Sequence, residues 1–184
     1  YDADFVCRDG EHLLKLHTRP GVFSHREVDP GARALMHAMK ITPGTRALDI
    51  GCGSGVVGLA AAAREPTSIV RAIDSNARAV QCANYSASTN GLANFNASLD
   101  STGDSLADRS FDLALANPPY YSHHRIAEHF VRIAARTLRR GGELIVVTKD
   151  PAWYLEHLPA IGFAAPTAEP HKRYWLVRCR SSSG

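Results

Sequence analysis

Cysteine is scarce and scattered in this 184-residue chain: Cys7, Cys52, Cys82 and Cys179 form no C-x-x-C pair, and no histidine stands at zinc-finger distance from one. That spacing excludes a zinc ribbon or a disulfide framework and reads as four reduced, packed thiols of an intracellular protein. Long apolar runs are missing too. No stretch approaches the roughly 18 residues of a membrane-spanning helix, and Tyr1-Asp2-Ala3-Asp4 lacks the basic start and apolar run of a signal peptide. A cytoplasmic location and no membrane partner are expected. Lysine is rare: of 21 basic residues only Lys15, Lys40, Lys149 and Lys172 are Lys, and the rest are Arg. Arginine's planar fork suits phosphates, although a GC-rich genome produces the same bias. The net charge of +3 permits an anionic partner without demanding one.

What is present is an ordinary globular composition. A 45% hydrophobic content excludes a disordered chain, and 14 Gly with 10 Pro exclude a linker or a collagen. The length fits one domain, 1–184, with a lead-in segment over 1–45 and a core over 46–180. A chain opening on Tyr rather than Met points to sequence lying upstream, and the Ser-Ser-Ser-Gly end reads as a frayed tail.

In the lead-in, Phe5-Val6 and His12-Leu13-Leu14-Lys15-Leu16 predict short strands around an Asp9-Gly10 turn. Asp29-Pro30 predicts a helix start, with Ala32, Leu35, Met36 and Met39 facing inward. The core then alternates: strands over 46–50, 68–73, 95–98, 111–116 and 143–148, helices over 56–64, 77–90 and 125–138, a short helix over 153–158 and a closing strand over 174–179. Gly141-Gly142 is expected to end the long helix. Continuously apolar strands separated by helices predict an α/β fold, a largely parallel sheet covered on both faces.

The strongest chemical signal is Asp49-Ile50-Gly51-Cys52-Gly53-Ser54-Gly55, where a predicted strand ends and a helix opens. Open α/β sheets bind ligands at such ends, and alternating glycines let the backbone turn and approach closely. The helix-start amides are expected to face an anion or carboxylate. A dinucleotide fingerprint needs G-x-G-x-x-G, whereas this run is G-x-G-x-G behind an acid that would repel a pyrophosphate and suit an ammonium. Asp74, followed by Ser75, closes the next strand, the place for a carboxylate that bonds ribose hydroxyls. Ammonium, close approach and ribose together describe S-adenosyl-L-methionine. Cys52 reads as a small packing residue of that loop rather than a nucleophile.

A later strand runs into Asn117-Pro118-Pro119-Tyr120-Tyr121. Two prolines freeze the loop, so the Asn117 side chain and the Pro118 carbonyl become fixed acceptors beside the aromatic Tyr120. Such a set suits a planar group carrying an –NH2, with catalysis by alignment and no strong base. Arg125, Arg132, Arg136, Arg139 and Arg140 make one helical stretch basic, either as a phosphate-facing surface or as a solvated face. No histidine or cysteine grouping has ligand spacing, so no metal is expected.

These motifs resemble the class I, Rossmann-like S-adenosylmethionine-dependent methyltransferases that modify exocyclic or amide nitrogens. Pro20-Gly21-Val22-Phe23-Ser24-His25-Arg26, followed by Asp29-x-Gly31-Ala32-Arg33, is similar to the start of the catalytic domain of bacterial ribosomal RNA guanine-N2 methyltransferases, which carry the "methyltransferase small" domain. The likeness spans about residues 18–180, including Gly141-Gly142-Glu143-Leu144 and Lys172-Arg173-Tyr174. It implies a seven-stranded sheet with an antiparallel last strand, and ribosomal RNA or a ribosomal subunit as partner. It places Phe23, Ser24, Asp49, Gly51, Cys52, Gly53, Gly55, Asp74, Ser75, Asp100 and Asn117 at the cofactor. Catalysis falls to Asn117, Pro118 and Tyr120, with Pro119, Tyr121, Arg125, Lys172 and Arg173 toward the substrate. Asp100 is chosen over Ser98 and Leu99 for the adenine side.

The guanine enzymes often read Asn-Pro-Pro-Phe-His, whereas Tyr120-Tyr121 stands here; Asn-Pro-Pro-Tyr is equally at home in adenine-N6 and protein glutamine-N5 methyltransferases. The family's longer members carry a second, similar N-terminal domain, which is expected to have been either trimmed away from this sequence or never present. An inactive cofactor-binding module that docks on RNA and an NAD-dependent dehydrogenase are the rivals from other classes.

Overall fold

The computed structural model describes residues 2–23, 27–119 and 124–182. Strands β1 (Ala3–Asp9) and β2 (His12–Thr18) form a separate antiparallel hairpin, pairing Cys7 with Leu14 and Phe5 with Leu16. Its turn holds Gly10 at φ +58°. Cys7, Leu14 and Leu16 are buried and face inward, while Val6, Leu13 and Lys15 face out. Helix α1 (Pro30–Ala38) follows, capped by Asp29, whose carboxylate accepts from the Ala32 N–H. Pro30 stands in its first turn, where the missing N–H costs nothing.

The core alternates as its apolar pattern requires: β3 (Arg46–Ile50), α2 (Val56–Arg64), β4 (Ile69–Asp74), α3 (Ala77–Thr89), β5 (Phe95–Leu99), β6 (Phe111–Ala116), α4 (Arg125–Thr137), β7 (Leu138–Thr148), α5 (Pro151–Ile161), β8 (Phe163–His171) and β9 (Tyr174–Ser181). The main sheet has seven strands in the order β5-β4-β3-β6-β7-β9-β8. Pairs from β5 to β7 are parallel, and β9 runs antiparallel to both β7 and β8. Leu48, Ile50, Leu115, Leu144 and Ile145 fill its middle at 0–1% exposure, each contributing about 1.5–3 kcal/mol by burial. Leu59, Ala60, Ala61 and Ala62 are equally buried where α2 packs into the core. No helix among the described residues is long and apolar enough to cross a membrane.

The structure adds one element that the sequence reading did not assign and changes one expectation. Residues 163–171 are a strand, although Phe-Ala-Ala-Pro-Thr-Ala-Glu-Pro-His carries two prolines that argue against one. As the edge strand, β8 has one side without a ladder, and Pro166 falls at a register shift between Ala164 and Thr167, so neither missing donor breaks pairing. Gly141-Gly142 does not end α4. The helix stops at Thr137 because Leu138 turns extended and is fully buried, and the glycines form an irregularity inside β7, with Gly141 at φ +75°.

Candidate functional site

The chain leaves β3 for β4 and β5 on one side and returns to β6 and β7 on the other, so the connections diverge at the carboxyl ends of β3 and β6. Ligands of open α/β sheets bind at such a switch point, and a cavity of about 670 Å³ opens there. Ile50, Gly51 and Gly53 come from the end of β3, and Asp74 and Ser75 from the end of β4. The segment after β5 supplies Asp100, Ser101 and Thr102, and the one after β6 supplies Asn117, Pro118 and Pro119. Helix α4 closes the far wall with Ile126, His129, Phe130 and Ile133, and Phe23, 58% exposed, reaches in from the lead-in.

The glycine loop is shaped by what lies against it. Gly51 sits at φ +70°, and a Cβ there would stand 2.5 Å from Cζ of Phe130. A Cβ on Gly53 would stand 3.3 Å from that of Phe23. The amides of Gly51 and Cys52 donate to the Ile73 carbonyl at 2.8 and 3.1 Å, that of Gly53 to Asp74 Oδ2 at 2.8 Å and that of Gly55 to the Cys52 carbonyl at 2.8 Å. These four donors are engaged within the protein, and the start of α2 itself meets an internal carboxylate.

That carboxylate belongs to Asp49. Gly55 caps α2 without a side chain, and Asp49 substitutes for one: its Oδ2 accepts from Gly58 N–H at 3.0 Å, so a carboxylate already lies on the helix N-terminus. Burial pushes the Asp49 pKa up to about 7, against the Gly58 hydrogen bond and aided by the nearby charge of Asp74. Burial likewise holds the Cys52 thiol well above its ordinary range, with Asp49 and Asp74 adding to the effect. Asp49, Cys52 and Gly55 therefore stand behind the cavity wall rather than in it, while Gly51, Gly53, Asp74 and Ser75 form it. Asp74 faces the cavity while Oδ1 accepts from Asn76 N–H at 2.8 Å.

Asp100 reaches the cavity, but its carboxylate organises its own loop. It accepts from the amides of Thr102, Gly103 and Ser105 at 2.9, 2.7 and 2.9 Å and from the Ser105 hydroxyl. Burial works against ionisation here, yet those hydrogen bonds outweigh it and hold the carboxyl well below its ordinary range. Ser101 and Thr102, which the sequence reading passed over, line the wall beside it, and the Ser101 carbonyl accepts from His129 Nε2 at 2.5 Å.

Across the cavity, Asn117 donates through Nδ2 to Asp29 Oδ2 at 2.8 Å, tying the loop after β6 to the cap of α1. Ser24, Tyr120 and Tyr121 lie outside the described residues. Arg125 is exposed on the first turn of α4. Lys172 and Arg173 make the turn between β8 and β9, with the Arg173 guanidinium 5.4 Å from the Tyr174 ring centre. That turn lies at the end of the sheet where β7 finishes, since Thr148 pairs with Trp175. None of these three cations lines the cavity.

The expected basic helical stretch is divided, because Arg139 and Arg140 fall on β7 once α4 ends at Thr137, and three of its arginines are paired. Arg132 bonds Glu128 at 2.7 Å, Arg139 bonds Asp112 at 2.6 Å, and Arg136 bonds Asp108 and the carbonyls of Gly103 and Leu106. Sequence reasoning missed the opposite, cavity-facing side of α4, although Ile126, Phe130 and Ile133 recur at helical spacing. It gave Asp29 a place as a helix cap and in the Asp29-x-Gly31-Ala32-Arg33 run, with no part in the site.

This strand order, with an acid-backed glycine loop and an Asn-Pro-Pro loop on two sides of one crevice, defines a Rossmann-like methyltransferase fold. The Thermus thermophilus 16S rRNA N2 G1207 methyltransferase (RsmC), solved in complex with AdoMet and guanosine, shares it with a TM-score of 0.88 at 24% identity, over 98% of this chain and 50% of that one. TrmN from Thermus thermophilus superposes with a TM-score of 0.66 at 28% identity, over 82% and 48% of the two chains. The methyltransferase small domain model matches residues 13–178, and the chain belongs to that family.

Among curated proteins it is 34% identical over 162 residues to the ribosomal RNA small subunit methyltransferase C of Pseudomonas putida, covering 86% of this chain and 47% of the relative. Identity to the Hahella chejuensis protein of the same name is 35% over 164 residues, covering 83% and 46%. The chain thus spans about half the length of the curated relatives it matches.

Proposed function

We propose that the chain transfers a methyl group from S-adenosylmethionine to an exocyclic amine, the guanine N2 of small-subunit ribosomal RNA. The observation that carries this reading is the placement of the Asn117-Pro118-Pro119 loop on the same cavity as the glycine loop and the two strand-end acids. An amine held at the first would lie beside a cofactor held at the second. The relatives' names point to the same RNA.

The residues present fit that cofactor. Asp74 is a carboxylate on the wall at the end of β4, suited to ribose hydroxyls, and each of its oxygens accepts one backbone N–H, leaving a lone pair on each. Asp49 behind the loop adds negative charge and already occupies the helix N-terminus, which disfavours a pyrophosphate and favours a cation. The same feature counts against a dinucleotide. Phe130, Ile126 and Ile133 give an apolar face for a flat base, beside the polar Ser101–Thr102 segment. When bound, S-adenosylmethionine supplies an electrophilic methyl group on a sulfonium sulfur.

The chain's own part is alignment. Asn117 and the Pro118 carbonyl accept the amine's N–H groups, which holds its lone pair toward the cofactor side. The two prolines keep that pair of acceptors from rotating away. No strong base is needed, because the amine attacks as a neutral group and loses its proton afterwards to water.

Ribosomal subunits and naked ribosomal RNA from a strain lacking the gene, incubated with radiolabelled S-adenosylmethionine, test the reading. Label recovered as N2-methylguanosine and abolished by Asn117→Ala is expected. Label in protein would replace RNA by a glutamine amide as acceptor, and tight cofactor binding without label in any pool would overturn the reading.

A further inference from the structure

We propose that Asp29 is a positioning residue for this reaction: its carboxylate fixes which limb of the Asn117 side chain is presented to the acceptor amine. The inference rests on the methyl-transfer reading above and extends it to a residue outside the catalytic loop, 88 positions earlier in the chain.

A carboxamide has two nearly isosteric limbs of opposite polarity, an accepting C=O and a donating NH2. Only the C=O limb can hold an amine N–H. Packing by shape hardly distinguishes the two orientations, so the choice must come from a hydrogen-bonding partner. An ionised carboxylate is such a partner, since it accepts and never donates. Asp29 Oδ2 takes the Nδ2–H of Asn117 at 2.8 Å. The flipped carboxamide would set Oδ1 against a carboxylate oxygen at the same distance. A charge-assisted hydrogen bond of ordinary strength biases that choice by roughly 10- to 100-fold.

Capping alone does not account for Asp29. The same Oδ2 accepts from Ala32 N–H at 3.1 Å, but Ser or Thr would cap the helix by that bond as well. Only a side chain with an acceptor one bond further out also reaches Asn117.

Gly31 supplies the independent observation. It lies in the first turn of α1, where glycine is a poor helix former, and its φ lies outside the left-handed region. No turn requires it. A Cβ at this position would stand 2.7 Å from Asp29 Oδ2, 3.0 Å from Asn117 Oδ1 and 3.1 Å from Asn117 Nδ2. The absent side chain is the space in which the Asp29–Asn117 pair sits, so the α1 N-terminus is built around the catalytic loop.

Three variants of the full chain test this. Asp29→Ser retains the cap and loses the bond to Asn117; Asp29→Asn keeps the one oxygen that accepts from both Ala32 and Asn117; Gly31→Ala favours the helix and crowds the pair. Each is followed by melting temperature, calorimetric affinity for S-adenosylmethionine, kcat and KM with the RNA acceptor, and the 1H–15N signals of the Asn117 side-chain amide in cofactor-free protein. For Asp29→Ser we expect near-unchanged melting, unchanged cofactor affinity, a kcat lowered about twofold as the flipped Asn117 orientation rises to about half of the population, and shifted Asn117 amide signals. Asp29→Asn should restore most of the rate, and Gly31→Ala should resemble Asp29→Ser.

A wild-type kcat with unshifted Asn117 signals in Asp29→Ser would overturn the proposal. So would a rate loss that merely tracks lost stability or lost cofactor binding, or an Asp29→Asn variant as slow as Asp29→Ser. Absence of methyl transfer by the unaltered chain would instead refute the functional reading, while the Asn117 amide signals would still report whether Asp29 sets the orientation.

Discussion

Asp49 is the one charged side chain among the buried polar residues of the described chain, 4% exposed and held by the Gly58 amide. Its pKa is raised from 3.8 to about 7. Because the folded value lies above the unfolded one, the associated stability is fully present below about pH 4 and is lost as pH rises through 7. A shift of about 3 units at roughly 1.4 kcal/mol each amounts to about 4 kcal/mol. Asp49→Asn keeps an acceptor for Gly58 and cannot ionise, so it escapes this loss. The stability difference between variant and wild type is expected to be near zero at pH 4 and to grow to as much as about 4 kcal/mol at pH 8, roughly 10 °C in melting temperature for a chain of this size. Urea or thermal unfolding at half-unit steps of pH measures it. A difference that stays flat from pH 4 to pH 8 would refute the argument from burial. The more stable variant should nonetheless bind S-adenosylmethionine more weakly at pH 8, since the negative charge behind the loop is gone.

Other outcomes follow from the same geometry. Gly51→Ala puts a Cβ 2.5 Å from the Phe130 ring at a φ of +70°, and a loss of at least about tenfold in cofactor affinity is expected by calorimetry, together with a lower melting temperature. Asp74→Ala leaves the amides of Gly53 and Asn76 without their acceptor; it should cost about 2 kcal/mol in unfolding experiments and abolish tight cofactor binding. Asp100→Ala should speed hydrogen exchange at Thr102, Gly103 and Ser105, whose amides Asp100 holds. In the wild type the depressed pKa of Asp100 means that its contribution is present above about pH 4 and fades only in stronger acid, so those amides should lose protection there.

The parallel core was legible because continuous apolar runs and helical spacing are local properties. So were the glycine loop, Asp74 and the Asn-Pro-Pro loop, since each motif encodes its own backbone constraint. Residues 163–171 were not, because two prolines are compatible with a strand only at an edge, and strand order is not a local property. The end of α4 was misread for a related reason: burial of Leu138 against the sheet outweighs the helix-ending habit of two glycines.

The site divides along the same line. Sequence alone determined which chemical groups the chain brings to a strand end: an acid, glycines, a second acid, and an asparagine locked by prolines. Only the tertiary structure decided which way those groups turn. It set Asp49 behind the wall to cap α2, folded the Asp100 carboxylate onto its own loop, and paired Arg132, Arg136 and Arg139 with acids of the same chain. It also joined Asp29 to Asn117 across 88 residues. A motif fixes backbone torsions and residue type, whereas a polar side chain chooses among partners by proximity and charge, and those partners arrive from elsewhere in the chain once it has folded.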